Sequence, residues 1–583
     1  MSEAAARTDP VIVRIAPGIA SVRSYKPGWL RQDLVAGLVL TALLVPQGMA
    51  YAELAGLPPI TGLYTTILCL LGYAVFGPSR VLVLGPDSSL GPMIAATVIP
   101  LVAAEGDPDR AVAYASLLAL MVGAITVLAG VFKLGFVAEL LSKPTQIGYM
   151  NGLALTIVVG QLPKLFGFSV DADSLVDEAT GFVQGIADRD AVGVALAVGL
   201  GSLVLILGAQ RVSPRVPGVL VAVVLAIGAV QLFDLQDHGV AVVGPMPEGV
   251  PPFTVPTVPL DDLWLLVAGA LGIALVSLTD TISTASVFAA RAGAEIDGDR
   301  EMVGVGAANL AAGFFQGFPV STSGSRTAVA AQNGAKTQVT GLVGAAAILL
   351  LLIFAPGLLR DLPQPTLAAV VIAASMSLAD IGGLRRLRRQ RRSDFRLALA
   401  AFLGVALLGV LPGIAIAVGL SILNVFRRAW RPHQAVLGRV EGVAGYHDSQ
   451  FTPTTHHLPG LVIYRFDAPL FFANVRTFRD QVRHLARTDP GPHWIVVAAE
   501  PMTDIDTTAA DVLEDLDLEL NANGISLVFA ELKTPVRQKI ERYDLTETID
   551  PDHFFETITQ AVDAFREQTG ASWTAGPGPF GLR

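Results

Sequence analysis

A polar segment with one positive charge lies between two apolar stretches of this 583-residue chain. The segment FPVSTSGSRTAV, residues 318–329, contains five hydroxyl residues together with Arg326. An arginine at the centre of a membrane costs about 2.5–3.5 kcal/mol on insertion scales, so such a residue is a candidate for function. A lone cation there would suit a small oxyanion, and we expect Ser325 and Arg326 to bind one. The alternative is that Arg326 snorkels toward the membrane surface or forms a structural ion pair with Asp87 or Asp280.

A carboxylate occurs in a second apolar stretch, where Asp280 is the only acidic residue deep in its predicted span. Thr284 follows four residues later and therefore lies on the same face of a helix. A carboxylate beside a hydroxyl offers hard oxygen ligands for a small cation. A buried carboxylate can alternatively accept a proton. Asp280 and Thr284 are thus the predicted Na+ or H+ coupling site, with a structural salt bridge as the alternative.

The composition indicates a membrane protein. Apolar residues make up 52% of the chain and charged residues 15%. The net charge of −10 does not favour a nucleic-acid partner, and the single cysteine excludes a disulfide within the chain and a CxxC metal cluster. No nucleophile–base pair or metal-ligand spacing indicates an enzyme, so we expect that the protein is not one. We expect no cofactor other than Na+ as a coupling ion.

Fourteen apolar segments have lengths near those that cross a bilayer, although the third and the tenth are short. They lie near residues 34–54, 61–76, 88–104, 111–132, 145–167, 191–210, 215–233, 264–289, 301–317, 325–334, 338–358, 365–379, 395–411 and 413–426.

Basic residues predict the orientation of these spans. Six arginines crowd between Arg385 and Arg392, and three more follow the last span, at Arg427, Arg428 and Arg431. The positive-inside rule places both clusters, and the basic N-terminal lead, in the cytoplasm. Both termini on one side require an even number of spans. A further interpretation of the Arg385–Arg392 cluster is binding of anionic lipid.

The two halves of the chain share a pattern. VLVLGPDSSLG, which contains Pro86, and FFQGFPVSTSG, which contains Pro319, each have a proline before serines and an apolar helix. The prolines are 233 residues apart, and the same spacing places Gln47 opposite Asp280. Seven spans is an odd number, so we expect an inverted repeat, as in transporters whose substrate site lies near the midplane.

Each proline is expected to end an extended stretch and to let a half-helix begin after it. The free N–H groups of the two N-termini, at the positive end of each helix dipole, then face the middle of the membrane. Two such ends form an anion site, to which Arg326 adds a formal charge. Asp87 and Ser88 open the first half-helix, where Asp87 acts as a cap, becomes protonated during transport, or is the partner of Arg326.

At these residues the chain resembles the SulP family, the sulfate-permease-like anion transporters and exchangers. The similarity is carried by DLVAGLVLTALLVPQGMAYAELAGLPPITGLY, FGPSRVLVLGP, SRTAVAAQNGAKTQV and the soluble tail, and it spans roughly residues 25–570. The resemblance implies a core domain of spans 1–4 and 8–11, a gate domain of spans 5–7 and 12–14, and a homodimer.

The family also places the anion between the N-termini of half-helices 3 and 10. Gln47 and Tyr51 match its site-lining positions on the first span, and Asp87 follows the Gly-Pro of the third. Ser325 and Arg326 match its Ser-Arg pair on the tenth span.

The segment DTIST, from Asp280 to Thr284, is similar to the eighth span of sodium-driven bicarbonate members. In those members the Asp and the Thr help to bind Na+, whereas other members have Glu and use protons. The Asp favours sodium slightly, and the coupling ion stays open.

Residues 431–583 have the composition of a soluble α/β domain. LVIYRF, WIVVAAE and ISLVFAEL predict buried strands, and helical patterns near 475–487, 507–522 and 534–543 alternate with them. The region resembles a STAS domain. Its DIDTTAA loop matches the loop that is phosphorylated in anti-sigma-factor antagonists, at Thr508 here, but Ala509 replaces the usual Gly. Packing and dimer contacts are the alternative role.

The sequence thus predicts an α-helical polytopic membrane protein with a 7+7 inverted repeat. We expect a cytoplasmic segment 1–32, a transport domain 33–430 and a cytoplasmic STAS domain with its tail, 431–583, in a homodimer within the cell membrane. The expected function is secondary active transport of a small anion, with sulfate before bicarbonate or a dicarboxylate, coupled to Na+ or H+. The alternatives are an uncoupled exchanger or channel, and a STAS-based membrane sensor.

Overall fold

The computed structural model describes the chain over residues 16–19, 25–102, 107–136, 141–170, 172, 174–212, 217–452 and 454–575. Residues 1–15 and 20–24 of the predicted N-terminal segment lie outside this set, as do the ends of two predicted spans at 103–104 and 215–216. The chain divides into two compact units, residues 1–421 and 422–583.

The described part of the first unit is helical. The described α-helices of nine or more residues that begin in this unit are α1 Leu30–Leu54, α2 Pro59–Phe76, α3 Gly91–Val102, α4 Pro108–Val131, α5 Lys143–Phe166, α6 Leu175–Asp188, α7 Gly193–Val212, α8 Gly218–Phe233, α9 Leu263–Ala292, α10 Gly298–Gly313, α11 Gly324–Gln332, α12 Val339–Phe354, α13 Gln364–Leu378, α14 Ile381–Gln390, α15 Arg392–Leu408 and α16 Val410–Trp430. The last of them, α16, continues past Ser421 into the second unit.

Each of the fourteen predicted segments corresponds to one of these helices. The helices α6 and α14 were not predicted as separate elements, because α6 carries acidic residues and α14 arginines, so neither is an apolar run. Seven helices of the described residues are long and apolar enough to cross a membrane. The chain therefore has the architecture of a polytopic membrane protein, and the count of fourteen crossings stays a prediction.

Two short strands join the halves of this unit. β1, Leu84–Gly85, pairs antiparallel with β2, Ser321–Thr322. The pair is extended by a hydrogen bond from the Ser323 N–H to the Val83 carbonyl at 3.1 Å. Because the strands run in opposite directions, the half-helices α3 and α11 leave their meeting point in opposite directions with their N-termini inward. This is the predicted meeting of two half-helices.

The predicted role of Pro319 is wrong. Pro86 directly follows β1, as expected, whereas Pro319 precedes β2. A proline has no N–H to donate, so it stands outside the paired residues of the second repeat. The half-helices themselves begin at Gly91 and Gly324, which are 233 residues apart, the spacing that the sequence predicted.

The helices of the first unit pack in two groups. Helices α1 and α2 contact α12, α10 contacts α2 and α4, and α9 contacts α3 and α4. In the other group α5 contacts α7, α13 and α15, and α7 contacts α8 and α13. The two groups meet where α1 contacts α8 and α13. This division follows the core and gate expected from the family resemblance.

The second unit is an α/β domain. Its strands are β3 Gln434–Val440, β4 Tyr446–Asp448, β5 Thr455–His457, β6 Leu461–Phe466, β7 Trp494–Ala498, β8 Ser526–Ala530, β9 Phe554–Phe555 and β10 Thr574–Ala575. Its helices are α17 Val475–Ala486, α18 Thr507–Ala522, α19 Thr534–Arg542 and α20 Ile558–Thr569.

The strands of this domain form one sheet in the order β10-β5-β3-β6-β7-β8-β9, with β4 paired on β3. Strands β6 to β9 are parallel and β3 is antiparallel to β6. Apolar residues of α17, α18 and α19 cover one face, and those of α20 cover the other. Parallel strands buried on both faces read as continuous apolar runs, so β6, β7 and β8 were predictable from the sequence.

Candidate functional site

A cavity of about 570 Å³ lies in the first unit, at the N-termini of the two half-helices. All eight predicted site residues line it: Gln47, Tyr51, Asp87, Ser88, Asp280, Thr284, Ser325 and Arg326. They come from α1, α9, α11 and the turn before α3, so residues from both halves of the sequence form one wall. The opposite wall comes from α5, α7, α8 and α13, with Met150, Gln210, Val219 and Ser377 among its residues.

Arg326 is buried at this cavity, with only 1% of its side chain exposed. Its Nη2 atom lies 3.6 Å from Oδ2 of Asp87. None of its three guanidinium nitrogens donates a hydrogen bond to a residue that the structure describes. A Cβ atom on Gly85 would approach Nη1 to 2.6 Å, so the glycine of β1 makes room for the guanidinium.

The predicted ion pair between Arg326 and Asp87 is thus present, but it leaves the donors of the arginine unused. A buried donor without an acceptor costs free energy comparable to a lost hydrogen bond, and more for a charged group. The cavity beside Arg326 is therefore suited to a ligand that accepts several hydrogen bonds.

Asp87 also accepts hydrogen bonds within the turn that leads into α3, so it supports the start of the first half-helix as well as pairing with Arg326. Its Oδ1 accepts hydrogen bonds from the Ser89 N–H at 3.0 Å and the Ser89 hydroxyl at 2.8 Å. Its carbonyl accepts from the Gly91 N–H at 3.2 Å, one turn later. In the second repeat the capping residue is Ser323, whose hydroxyl accepts from the Arg326 N–H at 3.4 Å.

Asp280 lies on α9 and is connected to the first half-helix through Ser89. The Ser89 hydroxyl is 3.2 Å from Oδ2 of Asp280, and the Gln146 side chain also hydrogen-bonds Asp280. Thr284, one turn later, is the nearest side chain to the Cβ position of Gly324, with Oγ1 at 3.8 Å. Thr284 therefore lies beside the N-terminus of α11, and Asp280 lies beside the turn that leads into α3.

No cluster of three or more His, Cys, Asp or Glu residues that could hold a metal ion occurs among the described residues. One carboxylate with a neighbouring hydroxyl fits a monovalent hard cation or a proton. The donors of a transition-metal site are not present in this part of the chain.

Tyr51 and Ser88 complete the wall on the side of α1. Tyr51 is 4% exposed, and its hydroxyl interacts with the Ser88 side chain. Gln47 lies one turn earlier on the same helix and lines the cavity. Both predicted positions of the first span therefore face the cavity.

The structure adds residues that the sequence did not single out. Ser89 was one of two adjacent serines and had no pattern to distinguish it. The residues of α7, α8 and α13 are ordinary members of apolar spans, so no sequence signal marks them. Gln146 and Gln210 are polar residues at the ends of predicted spans, and their polarity is the one signal that could have indicated them.

Comparison with known proteins agrees with this architecture. Residues 30–401 match the model of the sulfate permease family, and residues 452–561 match the STAS domain. A probable sulfate transporter of Mycobacterium tuberculosis is 42% identical over 95% of this chain and 98% of its own length. A probable sulfate transporter of Arabidopsis thaliana, number 4.2, is 31% identical over 94% of this chain and 83% of its own.

Solved structures share the fold at low identity. The murine Solute Carrier 26 family member A9 anion transporter, in its inward-facing state, matches with a TM-score of 0.88 at 22% identity, over 98% of this chain and 97% of that chain. The transmembrane domain of a cyanobacterium bicarbonate transporter matches with a TM-score of 0.59 at 23% identity, over 68% of this chain and 99% of that chain.

These matches define a membrane transporter with a helical transport domain and a C-terminal STAS domain. The chain belongs to the sulfate permease family. The predictions that it is an anion transporter and not an enzyme are confirmed at the level of the family. The binding roles of the individual cavity residues stay predictions.

Proposed function

We propose that the protein is a secondary active transporter of a small oxyanion, with sulfate as the first substrate, coupled to Na+ or H+. The observation that carries this proposal is Arg326, a buried cation whose N–H groups donate to no described residue and face the cavity. A tetrahedral oxyanion accepts hydrogen bonds on every oxygen and so suits this side chain and the two helix N-termini. The names of the curated relatives support sulfate first, and that of one structural neighbour supports bicarbonate.

Charge balance supports a coupling cation. The cavity is lined by Asp87, Asp280 and Arg326, so it has an excess negative charge when both carboxylates are ionised. An added anion would increase that excess. A cation at Asp280 offsets it, and binding of the cation and the anion would then favour each other, because coupling free energy is reciprocal.

The transport cycle we propose is alternating access. The anion binds to the wall formed by α1, α3, α9 and α11, and this group moves against α5, α7, α8 and α13, whose side of the cavity is largely apolar. We further propose a homodimer in the cell membrane, with both termini and the STAS domain in the cytoplasm, because the arginine-rich segments mark the cytoplasmic side.

The test is uptake of labelled anions into proteoliposomes that contain the purified full chain. Sulfate, bicarbonate and succinate are each supplied with a Na+ gradient, with a pH gradient, and with neither. The proposal expects sulfate to accumulate against its gradient with one of the two cation gradients. Arg326→Ala should abolish this uptake, and Arg465→Ala in the soluble domain, the matched control, should preserve it.

Other outcomes of the same experiment identify the alternatives. Exchange of internal for external anion with no response to either cation gradient would make the protein an uncoupled exchanger or channel. Absence of flux for every anion, in a preparation that retains its fold, would instead support a STAS-based membrane sensor.

A further inference from the structure

Helix α14 connects two apolar helices of the transport unit and carries an exposed cationic face. The twelve residues from Ile381 to Arg392 contain six arginines and no acidic residue. All six are exposed: Arg385, Arg386, Arg388, Arg389, Arg391 and Arg392. Arg391 pairs with Asp394 at 3.7 Å, whereas the four arginines within α14 form no ion pair with a described residue.

The opposite face of α14 is apolar and packed. Leu387 is 8% exposed and forms a cluster with Ile147 of α5 and Ala398 of α15, with Leu384 and Phe395 packed against it. Asp380 caps the helix, accepting a hydrogen bond from the Gly383 N–H at 2.6 Å. The orientation of the helix is thus fixed by its contacts, and these contacts turn the arginines away from the protein.

The position of α14 defines what the arginines can meet. α13 ends at Leu378, two residues before the capping residue of α14, and α15 begins at Arg392. Both flanking helices are largely apolar and α14 is cationic, so we expect α14 to lie where they leave the hydrocarbon. Met376 and Ile381, beside the cationic face, are 52% and 56% exposed. An apolar edge next to a cationic face is complementary to an anionic phospholipid, in which the acyl chains adjoin a negatively charged phosphate.

We propose that α14 is a binding surface for the phosphate groups of anionic phospholipids in the adjacent leaflet. The guanidinium groups of Arg385, Arg386, Arg388 and Arg389 hold the phosphates through charge-assisted hydrogen bonds. Met376 and Ile381 contact the acyl chains. The alternative is that these arginines only set the orientation of the chain in the membrane. That role needs basic residues in a loop, and it does not explain an ordered helix that presents four unpaired arginines on one face.

The surface is linked to the transport cavity through α13. Val370, Ala373 and Ser377 of this helix line the cavity, and α14 follows it almost directly. Lipid held at α14 therefore steadies one wall of the cavity. The binding itself does not depend on which anion or cation is transported.

The test measures lipid binding to the purified full chain in neutral detergent, where the orientation in a membrane no longer matters. Lipid retention is followed by native mass spectrometry with dioleoylphosphatidylglycerol and with dioleoylphosphatidylcholine. The proposal expects at least a tenfold preference for phosphatidylglycerol. The variant R385Q/R386Q/R388Q/R389Q should lose this preference, and R385K/R386K/R388K/R389K should retain most of it. A control with the same change in charge, R476Q/R487Q/R537Q/R566Q in the soluble domain, should bind like the natural chain.

Three results would overturn the proposal. One is undiminished phosphatidylglycerol retention by the glutamine variant. Another is equal retention of phosphatidylglycerol and phosphatidylcholine by the natural chain. The third comes from a competition experiment with inorganic phosphate. Full displacement of phosphatidylglycerol by millimolar phosphate would assign the surface to a free anion. If the glutamine variant fails to fold, R388Q/R389Q replaces it, with an expected loss of at least threefold.

Discussion

Arg326 faces Asp87 across 3.6 Å without donating a hydrogen bond to it, although both side chains lie at the wall of the cavity. Oδ1 of Asp87 accepts hydrogen bonds from the Ser89 N–H and hydroxyl groups, and Oδ2 faces Arg326. The arginine is thus held in place by charge while its N–H groups stay available. An anion can bind to it without first breaking a hydrogen-bonded salt bridge.

The first prediction concerns Arg326. Arg326→Ala should weaken sulfate binding by about 10–100-fold, the range expected for hydrogen bonds to a charged group. Arg326→Lys keeps the charge but loses the planar fork, so an intermediate loss is expected. Isothermal titration of the purified chain with sulfate measures both. Normal affinity in Arg326→Ala would remove this residue from the site.

The second prediction concerns Asp280, where Asp280→Asn keeps the shape of the side chain and removes its charge. Accumulation driven by the cation gradient should be lost, while exchange of anion for anion continues. Uptake and counterflow in the same proteoliposomes separate the two activities. Undiminished accumulation would show that the coupling cation binds elsewhere, with Asp87 as the next candidate.

The third prediction distinguishes the two coupling ions through Thr284. If Na+ is coupled, Thr284→Val removes a ligand oxygen and should raise the Na+ concentration for half-maximal uptake by about tenfold. If H+ is coupled, the same variant should respond to the pH gradient like the natural chain. Uptake measured against Na+ at fixed pH, and against pH without Na+, decides between them.

The fourth prediction concerns Ser89, whose hydroxyl lies 2.8 Å from Asp87 and 3.2 Å from Asp280. A hydroxyl has a single proton, so a cation on Asp280 should leave that proton to Asp87 and weaken the electrostatic attraction between Asp87 and Arg326, which favours the anion. Ser89→Ala should therefore reduce the effect of the cation on sulfate affinity more than it reduces the affinity itself. Sulfate titrations with and without the cation measure this, and Ser89→Thr should restore the effect.

The fifth prediction concerns Asp517 in the soluble domain, which is 1% exposed and accepts a hydrogen bond from the Asn521 amide at 2.9 Å. Burial raises the pKa of Asp517 from 3.8 to about 6. The folded state therefore holds the proton more tightly than the unfolded state. The contribution of Asp517 to the free energy of unfolding should fall as the pH rises from about 4 to about 6 and stay low above that.

Asp517→Asn removes this penalty and should stabilise the domain at pH 7.5 by about 1–3 kcal/mol, with little effect near pH 4. Calorimetry of the full chain at both pH values measures the difference. Asp511→Asn, an exposed position on the same helix, is the control and should leave the unfolding temperature unchanged. An equal gain at both pH values would contradict the assigned cause.

The sequence by itself determined the class of the protein and most of its elements. Apolar runs of bilayer length predicted the helices, and the runs in β6, β7 and β8 predicted the buried strands of the soluble domain. The lone Arg326 and the lone Asp280 marked the site, because charges are costly in apolar segments and so are few. These signals are local, and a single sequence displays them directly.

The tertiary structure decided how these residues meet. The pairing of Leu84–Gly85 with Ser321–Thr322 brings Asp87 and Arg326 together, although they are distant in the chain, and it corrected the role given to Pro319. The packing of α9 against β2 and α3 made Ser89 a neighbour of Asp280. The approach of α7, α8 and α13 closed the cavity with largely apolar residues that carry no signal of their own. Contacts between distant segments depend on how whole helices pack, which composition and spacing along the chain do not encode.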